Sequence, residues 1–528
     1  MPTLNPVGWG FVEQALTADE RKGLLKVAGG FLGGKLPDAL PPPAPESIRL
    51  PTPRVMIPSA LCGVVSAEHA DRLLHARGRS FPDLAALREP ALPTAPDAVA
   101  RPVSREELHR VLEWAQRERL AVIPYGGGSS VVGGVNPDGI GAGFNGVVTL
   151  SLQRMNRVLE IDTRSNVVHA EAGIFGPDLD AALKPQGLAV RHYPQSYFHS
   201  TLGGWVATRG AGHFSTGLAK IEDRVQALGV TSPDGRRAET RPLPASSVGP
   251  DPNRLWCGSE GALGVITDAR LRCVRLPTLR KSGGVVFPDF ERALEAAREL
   301  VQCGLQPTQM RILDPYEHML SAALAGRAVR GALMVLAFES AGAPVEELFT
   351  SALQICAGFG GVFKQDDAGQ AVGDWRNAFF RQPYLRDALL DFAIVSDTFE
   401  TALPWSAVPA FYHAVRQATL EAVQRACGAG AVSCRSTHAY PDGLCLYFAF
   451  FAAGRRGAVL EQWRQIKQAA SDAVIDHGGS ISHHHAMGRD HKPWARREIP
   501  DAFRAAIRAA KRELDPGGIL NPGLWFAD

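Results

Sequence analysis

Three consecutive histidines, His483, His484 and His485, stand in the segment Ser480-Ile-Ser-His-His-His485-Ala-Met-Gly488. Imidazoles in that density can carry protons, stabilise developing charge or ligate a metal. On an extended segment His483 and His485 point one way and His484 the other, so at most two serve one pocket together. Zinc takes four ligands, or three and a water, and no nearby Cys, His or carboxylate spacing completes such a set, so no metal is expected. An active-site pair and a solvated surface cluster are the readings left. Tyr447 lies in the apolar run Leu444-Cys-Leu-Tyr-Phe-Ala-Phe450, where a tyrosine is either a core aromatic with a satisfied hydroxyl or a proton-carrying phenol. Arg386, in Tyr384-Leu-Arg-Asp387, is either a helix-surface ion-pair residue or a fork of donors for a small phosphate.

A second kind of chemistry is written in glycine. Pro124-Tyr125-Gly126-Gly127-Gly128-Ser129-Ser130, running on to Gly133-Gly134, offers unhindered backbone N–H groups that can form an anion-binding nest. It is no Walker loop, lacking Gly-Lys-Ser/Thr, and its spacing is not the Rossmann G-x-G-x-x-G. Two further short loops share its character. These are Pro194-Gln195-Ser196-Tyr197-Phe198-His199-Ser200, with Thr201 to Gly204, and Gly258-Ser-Glu260-Gly261-Ala262-Leu263-Gly264-Val265-Ile266. Each alone could be a tight turn; three in one α/β unit can surround one large cofactor.

The elements that must position these residues follow from periodicity. Ser104 and Glu107 form a capping box before Leu108, Val111, Leu112 and Ala115, predicting a helix over 104–118. Leu120 to Pro124 reads as a buried strand feeding the glycine loop, and 146–152, 166–172, 225–230 and 266–271 read as strands. The first compact unit is expected to begin near Ala98, after the Pro-rich arm Leu40 to Pro45. From about residue 280 apolar strands (285–287, 332–338, 444–450) alternate with amphipathic helices near 289–302, 405–426 and 457–477, a layered arrangement with helices over one sheet face. A last helix near 500–513 precedes a turn-rich tail, Leu514 to Gly523.

Composition bounds the partners. The 528 residues carry 56 Lys+Arg against 54 Asp+Glu, a formal charge of +2, too balanced for a surface that neutralises nucleic-acid phosphates. Eight scattered cysteines without a C-x-x-C pair point to a reducing compartment. The N-terminus lacks a signal-peptide layout and no apolar run approaches the ~18–20 residues that cross a bilayer, so a cytoplasmic protein is expected. Lys22, Lys26, Leu24, Leu25 and Phe31 could make a surface helix touching a membrane, with domain packing the alternative.

The three loops together resemble the successive FAD-contacting segments of the vanillyl-alcohol-oxidase or PCMH-type flavoproteins, and the tail Leu514 to Gly523 is similar to that family's as well. Within it, Ser480 to Gly488, Cys445-Leu-Tyr447-Phe, Gly8-Trp-Gly10 and Ile221-Glu-Asp223 resemble the alkyldihydroxyacetonephosphate synthases. The resemblance covers nearly the whole chain. It implies an α+β chain: an N-terminal helical segment and arm (1–95), a PCMH-type FAD-binding domain of two α/β subdomains (96–278), a cap domain with an antiparallel sheet covered by helices (279–485), and a returning C-terminal segment (486–528). It implies non-covalent FAD held by Pro124 to Ser130, Pro194 to Ser200, Thr208-Arg209-Gly210-Ala211 and Glu260 to Ile266. Arg386 would bind substrate, Tyr447 would be the acid/base, and Arg311 and the histidine triplet would be needed for activity.

The implied reaction has no net redox change. Flavin N5 displaces the acyl chain from C1 of acyl-dihydroxyacetone phosphate, and a fatty alcohol then displaces the flavin to give an ether. Lipid substrates, a homodimer and peripheral membrane contact are expected accordingly. The sequence departs from the synthase pattern at Ala449, where a second aromatic is usual, at Ala486-Met487 in place of Gly-Val, and at Arg489-Asp490. An FAD-dependent D-2-hydroxy acid dehydrogenase, which shares the flavin domain, is the competing reading; a flavin-binding protein without catalysis is a third.

Overall fold

The computed structural model describes residues 3–32, 36–324, 327–363 and 379–525. Strands Ala98–Ala100, Gly146–Ser151 and Leu120–Tyr125 pair in parallel, in that order. Their near-continuous Val, Ile, Leu and Ala content is what a parallel sheet covered on both faces requires. Val65–Ser66 joins this sheet antiparallel to Ala98–Ala100. The helix Arg105–Arg117 buries Leu108, Val111, Leu112 and Ala115 as its period demands. Its capping box is half formed: Ser104 Oγ accepts the Glu107 N–H at 3.3 Å, while the Glu107 carboxylate takes the Val103 N–H at 2.9 Å rather than that of Ser104.

The second subdomain is a five-stranded antiparallel sheet in the order Val158–Asp162, Val167–Glu171, Val265–Arg272, Val225–Thr231 and Arg237–Glu239. One apolar core runs through both subdomains, joining Val122 and Val148 of the first to Val168, Leu228 and Val265 of the second. The glycine-rich loops emerge from the ends of this double layer.

The cap is a seven-stranded sheet, antiparallel throughout, in the order Val362–Phe363, Leu279–Phe287, Ala332–Ser340, Gln309–Leu313, Gly430–Ala439, Gly443–Ala453 and Ile394–Pro404. Helices Phe290–Gln302, Glu346–Gly358, Val408–Cys427 and Val459–Asp476 contribute apolar side chains to the core on one face. The period-2 alternation of a strand decides what the other face carries. Leu444, Leu446, Phe448, Phe450 and Ala452 all enter the helix-covered core. Cys445, Tyr447 and Ala449 therefore point away from it, toward the FAD-binding subdomains.

The N-terminal helix Ala18–Leu32 packs Leu24, Ala28 and Leu32 against Ala388, Leu389 and Ile394; the side chain of Phe31 lies outside the described residues. Among the described residues no helix is long and apolar enough to cross a membrane. All eight cysteines are unpaired.

Candidate active site

Three strands that apolar periodicity does not reveal build the polar face of the cap: Gln309–Leu313 with Arg311, Gly430–Ala439 with Arg435 and His438, and Ile394–Pro404 with Glu400. Register sets Glu400 and Arg435 directly opposite Tyr447 on its two flanking strands. Opposed residues of an antiparallel pair share a face, so all three side chains project to the same side. The Arg435 guanidinium carbon lies 4.2 Å from the Tyr447 ring centroid, and Glu317 holds that arginine at 2.7 Å. Tyr447 Oη donates to Thr398 Oγ1 at 2.9 Å. Burial pushes the phenol's pKa up and the adjacent Arg435 opposes it, so Tyr447 keeps its proton at neutral pH.

The histidine triplet is not an extended segment. It turns around the carboxylate of Glu400, which accepts the backbone N–H groups of His483, His484 (3.0 Å) and His485 (2.8 Å) and the Ser482 hydroxyl (2.7 Å). The expected alternation therefore fails: three donors converging on one buried anion override strand geometry and gather all three rings. His483 and His484 centroids are 5.2 Å apart and those of His484 and His485 4.7 Å. Burial pushes all three imidazoles down to about 3, leaving them neutral. Burial would raise Glu400, but the backbone N–H groups that converge on it hold it well below the usual carboxylate range.

Three cavities meet at this cluster. A polar one of about 190 Å³ is lined by Gly126 to Ser130, Pro194 to Ser196, Ser200, Thr208, Gly210 and Ala211, and on its cap side by Arg311, Tyr447, His484 and His485. A second, about 460 Å³, continues past the shared Thr208 and His484 to Arg209, Glu260, Leu263 and His483. A third, about 170 Å³ and strongly apolar, is walled by Leu24, Val27, Ala28, Leu385, Leu389 and Ala449, and contains Arg386. Tyr447 and His485 line both the first and the third.

The first two cavities fit an FAD. A Cβ at Gly126 or Gly127 would fall on the Thr201 hydroxyl or inside the His199 carbonyl, so the loop lies against its neighbours with backbone alone exposed. Buried polar atoms without protein partners among the described residues face the same space: His192 Nε2, Thr201 Oγ1 and, from the cap, Arg311 Nε and Nη1. Burial and the neighbouring Arg435 lower Arg311 to about 9. Among the described residues no carboxylate pairs with it, and its one hydrogen bond runs from Nη2 to the His213 carbonyl at 3.4 Å.

Not every expected residue lines these spaces with its side chain. Tyr125 donates to the Leu74 carbonyl, Tyr197 donates to Asp180, and Phe198 packs edge-on to Phe380. His199 lies against Trp9, and Val265 and Ile266 sit in the apolar core. Pro124, Gly261, Ala262 and Gly264 also line none of the three cavities, and a Cβ on Gly261 would meet Pro124 Cγ at 2.7 Å. The Glu260 carboxylate accepts the Met487 and Gly488 N–H groups (both 3.1 Å) and is pushed up to about 7 by burial. Asn521 Nδ2 donates to the Gly134 carbonyl (3.2 Å) and the Glu260 carbonyl (2.9 Å), tying the tail to two of the loops. Arg386 stands apart from Arg311, in the apolar cavity, 3.6 Å from Asp397 and donating to the Arg79 carbonyl.

Glu400, Arg435 and His438 escaped the sequence reading, and the absence of a completing ligand set for the histidines is corrected here. His438 and Cys445, from neighbouring strands, join His483 and His484 so that one ligand atom of each lies within 4.8 Å of the others.

Residues 96–241 match the family described as FAD binding domain, and 276–524 that of FAD linked oxidases, C-terminal domain. The chain is 32% identical over 475 residues to the alkyldihydroxyacetonephosphate synthase of Trypanosoma brucei brucei, covering 86% of this chain and 76% of that one. It belongs to the alkyldihydroxyacetonephosphate synthase family. The synthase of Caenorhabditis elegans is 30% identical, with 86% and 80% covered. A solved alkyldihydroxyacetonephosphate synthase superposes with a TM-score of 0.81 at 25% identity over 98% of both chains. The fold extends to p-cresol methylhydroxylase, with a TM-score of 0.68 at 13% identity and 97% and 98% covered. As a member of the synthase family the chain is an FAD-dependent enzyme.

Proposed function

We propose that this protein exchanges the acyl chain of acyl-dihydroxyacetone phosphate for a fatty alcohol, forming an ether bond without net oxidation. The observation that carries this reading is the wall of Tyr447 and His485 between the glycine-lined cavity and the apolar one. A substrate whose C1 meets the flavin while its long chain lies in an apolar cavity needs its proton carrier at that junction.

FAD, when bound, supplies the N5 nucleophile for C1 of the substrate. The chain's residues do the rest. Leu24, Val27, Ala28, Leu385 and Leu389 take the alkyl chain out of water, and Arg386 in the same cavity offers a guanidinium fork to the phosphate. Tyr447 moves the proton at C1, and Arg435 over its ring stabilises the phenolate that forms. Arg311, charged and without a carboxylate partner among the described residues, stabilises negative charge that develops in the polar cavity. The small Ala449 leaves room in the apolar cavity where a second aromatic is usual among synthases.

The test is incubation with palmitoyl-dihydroxyacetone phosphate and labelled hexadecanol, with no electron acceptor. Labelled ether is expected. Its absence, together with rapid bleaching of the flavin by D-lactate, would overturn the proposal in favour of a hydroxy-acid dehydrogenase.

A further inference from the structure

We propose that His438, Cys445, His483 and His484 form a four-ligand site for a soft divalent cation of the zinc class, and that its occupancy shuts the reaction cavity. The four ligand atoms, one sulfur and three ring nitrogens, lie within 4.8 Å of one another. A tetrahedral zinc with N ligands at ~2.0–2.1 Å and S at ~2.3 Å needs ligand atoms ~3.3–3.6 Å apart, so shifts of about 1 Å close the set. His483 Nδ1 and His484 Nδ1, 2.9 Å apart, need only open slightly.

The outer contacts are those that fix metal-binding imidazoles. His483 Nε2 is 2.6 Å from Tyr440 Oη and His438 Nε2 is 3.1 Å from the Gly212 carbonyl oxygen, which leaves Nδ1 of each ring for the cation. His438 Nδ1 lies 3.0 Å from Thr437 Oγ1, whose hydroxyl donates to Cys445 Sγ at 3.1 Å, so the nitrogen and the sulfur share one bridging group that a cation would replace. The Lys220 ammonium, on the His483 carbonyl at 2.7 Å, and the nearby Arg311 guanidinium oppose a cation, whereas the Glu400 carboxylate, 3.6 Å from His484 Nδ1, and the thiolate that binding creates at Cys445 favour it. Binding breaks the Cys445 S–H bond and forms a metal–sulfur bond. The thiol proton leaves to solvent, the proton held between the two facing Nδ1 atoms passes to the Nε2 of its own ring so that both imidazoles ligate as neutral groups, and no electron moves. A nitrogen and sulfur set of this softness selects zinc, cobalt(II) or cadmium over magnesium and calcium.

His484 lines the polar cavity, and His483 and His484 both line the larger one. A cation that locks their rings would remove them from the reaction, so this consequence rests on the proposed transfer, while binding itself does not. The experiment is cobalt(II) titration of the full-length, FAD-loaded protein, read as a difference spectrum. We expect a saturable one-to-one tetrahedral ligand-field band beyond the flavin absorption and a thiolate-to-cobalt charge-transfer band, both displaced by zinc. Cys445→Ser should abolish the charge-transfer band and weaken binding at least tenfold, and His438→Gln should weaken it comparably. Flavin content of each variant reports that the fold is kept. Where ether formation is measurable, zinc should inhibit the wild type and require at least tenfold more metal against Cys445→Ser. No saturable band, or an affinity unmoved by both substitutions in FAD-loaded protein, would overturn the site. Binding without inhibition would overturn the shut-off alone.

Discussion

The carboxylate of Glu400 is the point around which His483, His484 and His485 turn, each giving it a backbone N–H. Replacing it with glutamine puts an amide NH₂ against N–H donors and removes the charge. Charge-assisted bonds contribute ~1.5–3 kcal/mol each, and groups that orient reactive imidazoles typically cost about 10- to 100-fold in activity when changed. Glu400→Gln should therefore lower turnover by that factor and lower the urea midpoint, with FAD still bound. Wild-type turnover would show that the turn persists without its anion.

Tyr447→Phe deletes only the hydroxyl that donates to Thr398. Proton transfer by a positioned side chain contributes about 10²–10⁴-fold. Ether formation should fall by that order while flavin absorbance per protein stays unchanged; a variant at full rate would dismiss Tyr447 as the proton carrier.

Gly127→Ala places a methyl inside the His199 carbonyl, behind the loop that lines the polar cavity. The loop must move, and FAD loading should drop by at least tenfold while circular dichroism remains that of the wild type. Stoichiometric flavin in the purified variant would remove this loop from the cofactor site.

Stability should fall in mild acid. Ten histidines (75, 192, 199, 213, 318, 438, 483, 484, 485 and 491) are depressed by burial, to about 4 or 3 where a value is resolved. Below about 6.5 the unfolded chain binds these protons and the folded one does not, so each contributes stability that is lost as pH falls from about 6.5 toward 4. Glu260, Asp314, Asp387 and Asp490, raised by burial, act in the opposite sense between about 4 and 7, but are fewer. The free energy of urea unfolding should therefore be lower at pH 5 than at pH 7.5. A flat or rising profile toward acid would contradict the burial of neutral imidazoles.

What was legible in the sequence was what water and glycine dictate. Leu444 to Phe450 and Ala332 to Phe338 read as strands because one or both faces are apolar, and the loops at 126–130 and 194–200 because glycine, proline and serine leave few alternatives. The strands carrying Arg311, Glu400, Arg435 and His438 did not, since a strand that turns polar groups inward to a reaction cavity loses the apolar run that announces it. The shape of the triplet was equally hidden: His483 to His485 would lie extended if Glu400 were not beneath them, and that pairing across 83 residues leaves no local mark. His438 and Cys445 reach the triplet only through sheet register.

The hydrogen bonds from Asn521 to the Gly134 and Glu260 carbonyls span 387 and 261 residues. Chains emerge from the ribosome N-terminal end first, so the glycine loop is made long before the residue that braces it. The cofactor-binding segment is thus not autonomous in time: loading with flavin belongs to the end of folding, when the last turns have docked. Excising residues 96–241 as a stand-alone flavin binder would leave the nest without its keystone.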